Sequence, residues 1–257
     1  MPDEPDATVR EIADASELVL DLSGEALPAI NFELRPTLVE VCLMHNRIET
    51  IECLEPLTSL EILNLRANRV RQISGLDCCI GLKQLELYEN QLERLEGLEK
   101  LTRLEVLDAS FNTISRIEGL DTLGALRELY LASNRIRQIE GLTGLAALRL
   151  LELGSNELRS AAGLREFDAS LGGLEELHLG RNKLTSLEGL QGLRSLRVLG
   201  LASNRLKSLD GVQPLLALRE LYADHNWIGG SAPRRFHLQE IPTDTARRNG
   251  GAQRRGA

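Results

Sequence analysis

One asparagine recurs at a fixed interval through most of the chain, and this repeat constrains the fold more than any other feature. The interval is 22 residues, except for a gap of 26 residues between Asn156 and Asn182. Self-similarity at such a period predicts a solenoid, in which each repeat packs only against its neighbours. The asparagines are Asn46, Asn68, Asn90, Asn112, Asn134, Asn156, Asn182, Asn204 and Asn226.

Apolar residues occupy fixed positions around each asparagine. Two of them, two positions apart, precede it, and this alternation is typical of a short strand with one buried face. Others follow at steps of three, which favours a tight, 3₁₀-like return over a long α-helix. The sequence therefore predicts leucine-rich repeats that form an α/β solenoid, with a curved parallel sheet on the concave face and short helical or loop returns on the convex face. In one repeat the apolar residues are Leu85, Leu87, Leu92, Leu95, Leu98, Leu101 and Leu104.

The asparagines are predicted to be structural. Stacked repeats place them in a buried ladder, where their amides can satisfy the backbone groups left open as each strand turns. A buried polar group without a partner would cost about 1–3 kcal/mol. The leucine columns are predicted to form the core, so that Leu129→Ala should cost about 2–5 kcal/mol.

The pattern divides the chain into four regions. Residues 1–16 are predicted to be a flexible acidic segment, and residues 17–37 a degenerate capping repeat with Ile30, Phe32 and Leu34 as its apolar contacts. The repeat array follows over 38–228, and residues 229–257 are predicted to be a disordered basic tail. No apolar closing module follows the last repeat, so its open edge is expected to be covered either by a partner or by further repeats.

The repeat with the longer spacing carries extra residues between Arg165 and Gly173. Ala161 there stands where neighbouring repeats have a larger apolar residue. We expect a bulged return in this repeat, with Phe167 filling the core.

Composition argues against several classes of function. Thirty Lys and Arg against 38 Asp and Glu give a formal net charge of -8, which argues against nucleic acid as the main partner. The N-terminus lacks the apolar core of a signal peptide, and no apolar run approaches the ~20 residues of a membrane span. We therefore expect a soluble, unsecreted protein of the nucleus or cytoplasm, with no membrane partner.

The cysteines do not form a metal or disulfide pattern. Cys42, Cys53, Cys78 and Cys79 include no CxxC pair, and no histidine stands at ligand spacing from Cys53. Cys79 occupies a leucine column and is predicted to be a small core residue. Neither a metal nor another cofactor is expected.

Two columns of side chains are predicted to point from the strands onto the concave surface. Aromatic residues and carboxylates share these columns, as expected of a protein-binding face. Phe111, beside Asn112, is expected to pack near the turn rather than reach a partner. The candidate partner-binding residues are Glu86, Tyr88, Asp108, Tyr130, Glu152, His178 and Tyr222.

An enzymatic function is not expected. Asp108 and His178 are three repeats apart, and parallel strands lie ~4.8 Å apart, so about 14 Å separates this acid from this base. Glu152 and His178 are column neighbours, but no serine or cysteine nucleophile lies within their reach.

Longer stretches of the sequence resemble one family of repeat proteins. The runs LELYENQLERLEGLEKLTRLEVLDASFN, LRELYLASNRIRQIEGL, LRLLELGSNELR and LEELHLGRNKLTSLEGL are similar to those of the regulatory subunit 7 family of type-1 protein phosphatase. The resemblance covers roughly residues 38 to 228. It implies a mainly nuclear, non-catalytic subunit that binds the phosphatase catalytic chain on its concave face.

The resemblance also implies which residues make the contact. The positions that match the family's acidic and aromatic ridge are Asp108, Tyr130, Glu152 and His178, and His178 stands where a second aromatic residue is usual. The family continues for further repeats and ends in a capping module, neither of which is present in this sequence. The alternative function is a repeat scaffold in an axonemal, tubulin-associated or splicing assembly.

Overall fold

The computed structural model describes residues 18–31, 34–52, 54–167 and 170–230. Four predicted features lie outside these residues: the flexible segment 1–16, Phe32 of the capping repeat, Cys53, and the basic tail beyond residue 230.

The described chain forms one parallel sheet of ten short strands, whose spatial order is their order in the sequence. Each strand pairs in parallel with the next. The predicted solenoid with an all-parallel sheet is thereby confirmed. The strands are β1 (Val19–Asp21), β2 (Glu40–Cys42), β3 (Ile62–Asn64), β4 (Gln84–Glu86), β5 (Val106–Asp108), β6 (Glu128–Tyr130), β7 (Leu150–Glu152), β8 (Glu176–His178), β9 (Val198–Gly200) and β10 (Glu220–Tyr222).

Each strand buries its middle residue and turns the residues on either side towards the concave face. In β5, Leu107 is fully buried, whereas Val106 and Asp108 are half-buried. The hydrogen-bond ladder continues past the strand, because Ala109 N donates to Tyr130 O at 2.9 Å and Phe111 N donates to Ala132 O at 2.8 Å. Five or six residues of every repeat are therefore held in register with the next repeat.

The asparagine side chains close the end of this ladder. Asn134 Nδ2 lies 3.0 Å from Ala109 O of the preceding repeat and 3.1 Å from Leu131 O of its own repeat. Its Oδ1 accepts a hydrogen bond from Ile114 N at 2.9 Å. The amide thus joins two adjacent repeats through backbone groups that form no ladder bond of their own. Asn90 and Asn226 make the same bonds but are only half-buried.

The residue before each asparagine adopts a left-handed backbone conformation. Such a conformation costs a non-glycine residue about 1–2 kcal/mol. It turns the chain out of the sheet and brings the asparagine amide back beneath the turn. These residues, all with φ between 52° and 59°, are His45, Ala67, Glu89, Phe111, Ser133, Ser155, Arg181, Ser203 and His225.

The convex returns are successive tight turns. Leu101 N donates to Leu98 O at 3.0 Å, and Leu104 N donates to Leu101 O at 2.9 Å. These bonds span three residues, as in a 3₁₀-helix, and they match the three-residue spacing of the leucines. Where the return begins, Gly141 has a φ of 66°, and a side chain there would collide with Ile117 O of the preceding repeat. Glycine is therefore required at this position.

The return of the longer repeat contains a 3₁₀-helix, Ala162–Phe167. Leu164 and Phe167 are buried on its inner side, which confirms the prediction that Phe167 fills the core. A second short 3₁₀ segment, Ile228–Gly230, follows the last described strand. At the other end, β1 pairs with β2, and Leu20, Ile30 and Leu34 are buried.

Replacing one asparagine of the ladder should destabilise the fold strongly. In Asn134→Ala the N–H of Ile114 and the carbonyl of Ala109 lose their partner beneath the turn. We expect the free energy of unfolding to fall by about 2–4 kcal/mol, measured by chemical denaturation. Asn64→Ala is a matched control, because Asn64 lies on the half-buried concave face and accepts from Arg66 N within its own turn. Equal losses in the two variants would contradict a special role for the ladder.

The two adjacent cysteines should differ sharply in reactivity. Cys78 is exposed, whereas Cys79 is fully buried, and burial together with the neighbouring Cys78 raises the pKa of Cys79 to about 11. Only the thiolate reacts with iodoacetamide, so at pH 8 we expect Cys79 to react on the order of 100-fold more slowly than Cys78. Mass spectrometry of the alkylated peptide measures both rates. Equal rates in the native protein would show that Cys79 is not part of the core.

Candidate functional site

The four residues of the predicted ridge lie side by side across the concave face. The strand register pairs Asp108 of β5 with Tyr130 of β6, Tyr130 with Glu152 of β7, and Glu152 with His178 of β8. We call these four residues the central row. Glu86 extends the row on β4, next to Asp108. At the other end, Gly200 of β9 separates His178 from Tyr222 of β10.

Each carboxylate of the central row accepts a backbone hydrogen bond within its own repeat. Asp108 Oδ1 accepts from Ser110 N at 2.9 Å, and Glu152 Oε1 accepts from Gly154 N at 2.6 Å. In each case the N–H belongs to the residue two positions later. The second carboxylate oxygen of each residue makes no hydrogen bond within the described part of the chain. These residues therefore combine a local structural bond with a free acceptor.

The carboxylate of Glu152 is partly removed from water. Burial raises its pKa above the ordinary glutamate value of 4.5, while the hydrogen bond from Gly154 and the nearby charge of His178 act in the opposite direction. A cationic group supplied from outside would therefore find a poorly hydrated carboxylate, which favours a strong charge-assisted bond.

A second row of glutamates accompanies the central row and was not anticipated from the sequence. Tyr130 Oη donates to Glu128 Oε2 at 2.7 Å, and Tyr222 Oη donates to Glu220 Oε2 at 2.6 Å. Burial and the bond to Glu128 raise the pKa of Tyr130. Residues two apart on a strand share a face, so the ELY sequence of β6 and β10 carried this signal.

The same arrangement occurs on β8, where His178 Nε2 lies 3.6 Å from Glu176 Oε2. The glutamates orient the rings above the sheet and add negative charge beside them. The concave face is thus more acidic than the central row alone implies.

Aromatic side chains form one end of the concave surface. The rings of Tyr88 and Phe111 lie 4.8 Å apart between centroids, and the Arg66 guanidinium lies 4.5 Å from the centroid of the Tyr88 ring. Phe111 is half exposed, so the prediction that it packs near the turn was wrong. The left-handed backbone at Phe111 directs its side chain onto the concave face instead.

Small residues between Phe111 and Tyr222 leave a trough of about 690 Å³ in the concave face. None of the residues of its floor has a side chain larger than a methyl group, so the backbone itself forms much of the surface. Phe111 closes one end, and Tyr222 with Asp224 closes the other, while Glu152 and His178 stand at the side. The floor consists of Ala132, Gly154, Gly180, Gly200 and Ala202.

The sequence did not predict the trough, although its floor residues belong to the two columns of side chains that were predicted to point onto the concave surface. Small residues form a depression only where larger side chains flank them, and the sequence alone does not show which side chains do so. The trough is open and edged by aromatic rings, and its lining holds the carboxylates of Glu152 and Asp224 together with the guanidinium of Arg181. This arrangement suits a protruding protein segment better than an enclosed small molecule.

Within residues 18–230, apart from the undescribed positions, no group of three or more His, Cys, Asp and Glu could hold a metal ion. Over the same residues, no helix is long and apolar enough to cross a membrane.

Removing the charge of Glu152 should change how stability depends on pH. Because the folded-state pKa is raised, the folded protein retains a proton that the unfolded chain has lost between the two pKa values. The unfolding free energy of the wild type should therefore fall, relative to that of Glu152→Gln, as the pH rises above the ordinary glutamate pKa of 4.5. Glutamine keeps the acceptor for Gly154 N.

Glu176→Gln is the matched control for this measurement, because it removes a half-exposed carboxylate that also lies near His178. Denaturation across the pH range compares all three proteins. If both variants gave the same profile, burial of Glu152 would not be the cause.

Comparisons with known proteins agree with this architecture. A family model described as leucine-rich repeats (2 copies) matches residues 80–122 and 173–214. A search of curated proteins gave no match.

Solved leucine-rich-repeat structures share the fold. An internalin (inlF) of Listeria monocytogenes is 24% identical, with a TM-score of 0.66, over 75% of this chain and 63% of the internalin. A leucine-rich-repeat protein of Leptospira interrogans is 28% identical, with a TM-score of 0.59, over 75% and 56% of the two chains. Internalin C2 of L. monocytogenes is 26% identical, with a TM-score of 0.63, over 72% and 80%.

This chain thus spans less than two thirds of the length of the first two relatives. The solenoid with its parallel sheet agrees with the family match and with these structures. The chain therefore has the leucine-rich-repeat fold.

Proposed function

We propose that this protein is a non-catalytic binding subunit, and that a segment of its protein partner enters the trough. Leucine-rich-repeat folds typically serve as scaffolds for protein interaction. The observation that carries the proposal is the trough itself: a floor without large side chains, closed at its ends by Phe111 and Tyr222 and bordered by Glu152. A protruding segment could reach the backbone there and bury its apolar atoms between the rings.

The charge of the face indicates the chemistry of the partner. Glu128, Glu152, Glu176 and Asp108 lie on adjacent strands. A matching surface would bring lysine or arginine to these carboxylates. Charges of opposite sign accelerate encounter and fix the register, while the trough supplies the buried area.

The partner that we propose is the catalytic chain of type-1 protein phosphatase. The support is the resemblance of the repeats to the phosphatase regulatory family, together with the continuity of the central row. In this proposal Asp108, Tyr130, Glu152 and His178 contact the catalytic chain, with Glu86, Tyr88 and Tyr222 beyond them. The protein would act in the nucleus or cytoplasm, where it alters where or when the phosphatase works.

Charge reversal in the central row tests the proposal. Asp108→Lys combined with Glu152→Lys should weaken binding of the purified phosphatase catalytic chain at least about tenfold, because two cations then face a basic surface. Isothermal titration calorimetry measures the affinity. The milder pair Asp108→Asn and Glu152→Gln keeps the acceptors for Ser110 N and Gly154 N, and should weaken binding less.

The matched control is Glu96→Lys with Glu118→Lys, which changes the charge equally in the segment that follows the asparagine turns. Circular dichroism establishes that each variant is folded. Equal affinity of the wild type and the row variant would exclude the central row as the contact. Absence of binding by the wild type, with capture of a cytoskeletal or RNA-bound protein through the same row, would favour the axonemal, tubulin-associated or splicing scaffold.

A further inference from the structure

The position of the Glu152 carboxylate depends on the glycine that follows it two residues later. Gly154 N donates to Glu152 Oε1 at 2.6 Å, which folds the glutamate side chain back towards the trough floor. A β-carbon at position 154 would lie 2.6 Å from the same oxygen. Heavy atoms that are not bonded to each other keep a separation of about 3.5 Å. The carboxylate therefore occupies space that only a glycine at position 154 leaves open.

The backbone at Gly154 does not itself require glycine. Its φ is not positive, in contrast to that of Gly141, where a left-handed backbone and a neighbouring carbonyl exclude a side chain. Ala132 and Ala202 occupy the same column of the trough floor, so the sheet accepts a methyl group in this column. The consequence of glycine at position 154 is thus the placement of the Glu152 carboxylate, not the formation of a turn.

Shorter side chains make the same bond without a glycine. Asp108 Oδ1 accepts from Ser110 N at 2.9 Å, and Asn64 Oδ1 accepts from Arg66 N at 3.1 Å. Aspartate and asparagine have one methylene fewer than glutamate, so their oxygen reaches the N–H before it meets the later side chain. A glutamate in this column needs the extra space.

Glu86 shows what happens when a large residue stands two positions after the glutamate. It occupies the same column as Glu152, but Tyr88 takes the place of the glycine. Glu86 Oε1 accepts from Gln84 Nε2 at 2.8 Å instead, and no bond from Tyr88 N to Glu86 is present in the described chain. This carboxylate is thus held by the residue before it rather than by the N–H after it.

We propose that Gly154 is a positioning residue that determines specificity at the trough, because it holds the Glu152 carboxylate beside the trough floor. This inference rests on the proposed function, in which a basic segment of the partner enters the trough. The second oxygen of Glu152 makes no hydrogen bond within residues 18–230 that the structure describes, so a lysine or arginine of that segment would meet this atom. A basic side chain must then enter the trough to reach the charge, which distinguishes a fitting segment from one that only approaches its edge.

Nuclear magnetic resonance of the full chain tests the placement without a partner. A hydrogen bond to a carboxylate weakens when the carboxylate is protonated, so the amide proton of residue 154 should shift as Glu152 titrates. Wild type and Gly180→Ala should show this shift, and Gly154→Ala should lose most of it. Gly180→Ala is the matched control, because its β-carbon would lie 3.4 Å from Ala202 O, an ordinary contact, and within 4 Å of no side chain of the central row.

A double variant tests whether the lost bond can be rebuilt. Glu152→Asp combined with Gly154→Ser reproduces the pair formed by Asp108 and Ser110, and it should restore the pH-dependent shift at residue 154. A full shift in Gly154→Ala would overturn the placement, whatever the variants bind.

Binding of the purified phosphatase catalytic chain tests the effect on specificity. In isothermal titration calorimetry, Gly154→Ala should bind at least about fivefold more weakly than Gly180→Ala, because both add a methyl group to the trough floor but only one displaces the carboxylate. Equal affinities of the two variants, with the wild type bound, would overturn the role of Gly154 and leave the proposed function standing. Absence of binding by the wild type would overturn the proposed function and with it the specificity role, while the resonance measurement would still decide the placement.

Discussion

The asparagine amide beneath each turn is the interaction on which the rest of this structure depends. Every repeat leaves the sheet through a residue in the left-handed conformation, which is unfavourable by itself. Asn134 offsets that cost by bonding backbone groups of two adjacent repeats. The same geometry is reproduced at all nine positions, so each turn occurs at the same depth in the solenoid. The leucine core supplies the main free energy of folding, but the amides set the register in which it forms.

This register determines which side chains become neighbours on the concave surface. Because Asp108, Tyr130, Glu152 and His178 occupy equivalent positions, stacking places them in one row without any long-range contact between them. Small residues in the neighbouring columns leave the backbone uncovered and create the trough. A solenoid thus converts a column of residue types into a surface with one chemical character.

The sequence predicted what depends on periodicity and missed what depends on side-chain direction. The strands, the tight returns, the register and the burial of Phe167 all follow from the spacing of leucine and asparagine. The orientation of Phe111 did not follow, because its position next to a structural asparagine suggested packing, whereas its backbone conformation turns the ring outward. The bonds from Tyr130 to Glu128 and from Tyr222 to Glu220 join residues within one strand. A comparison of equivalent positions in successive repeats does not reveal such bonds.

The most direct test of the central claim, that a protein partner occupies the trough, is site-specific photo-crosslinking. A photoreactive phenylalanine that replaces Ala132 would lie on the trough floor, and one that replaces the exposed Thr102 would lie on a convex return. After irradiation in an extract of cells that express the protein, the account predicts a discrete protein adduct from position 132, lost on competition with unlabelled protein, and none from position 102. The same adduct from position 102, with none from position 132, would contradict it.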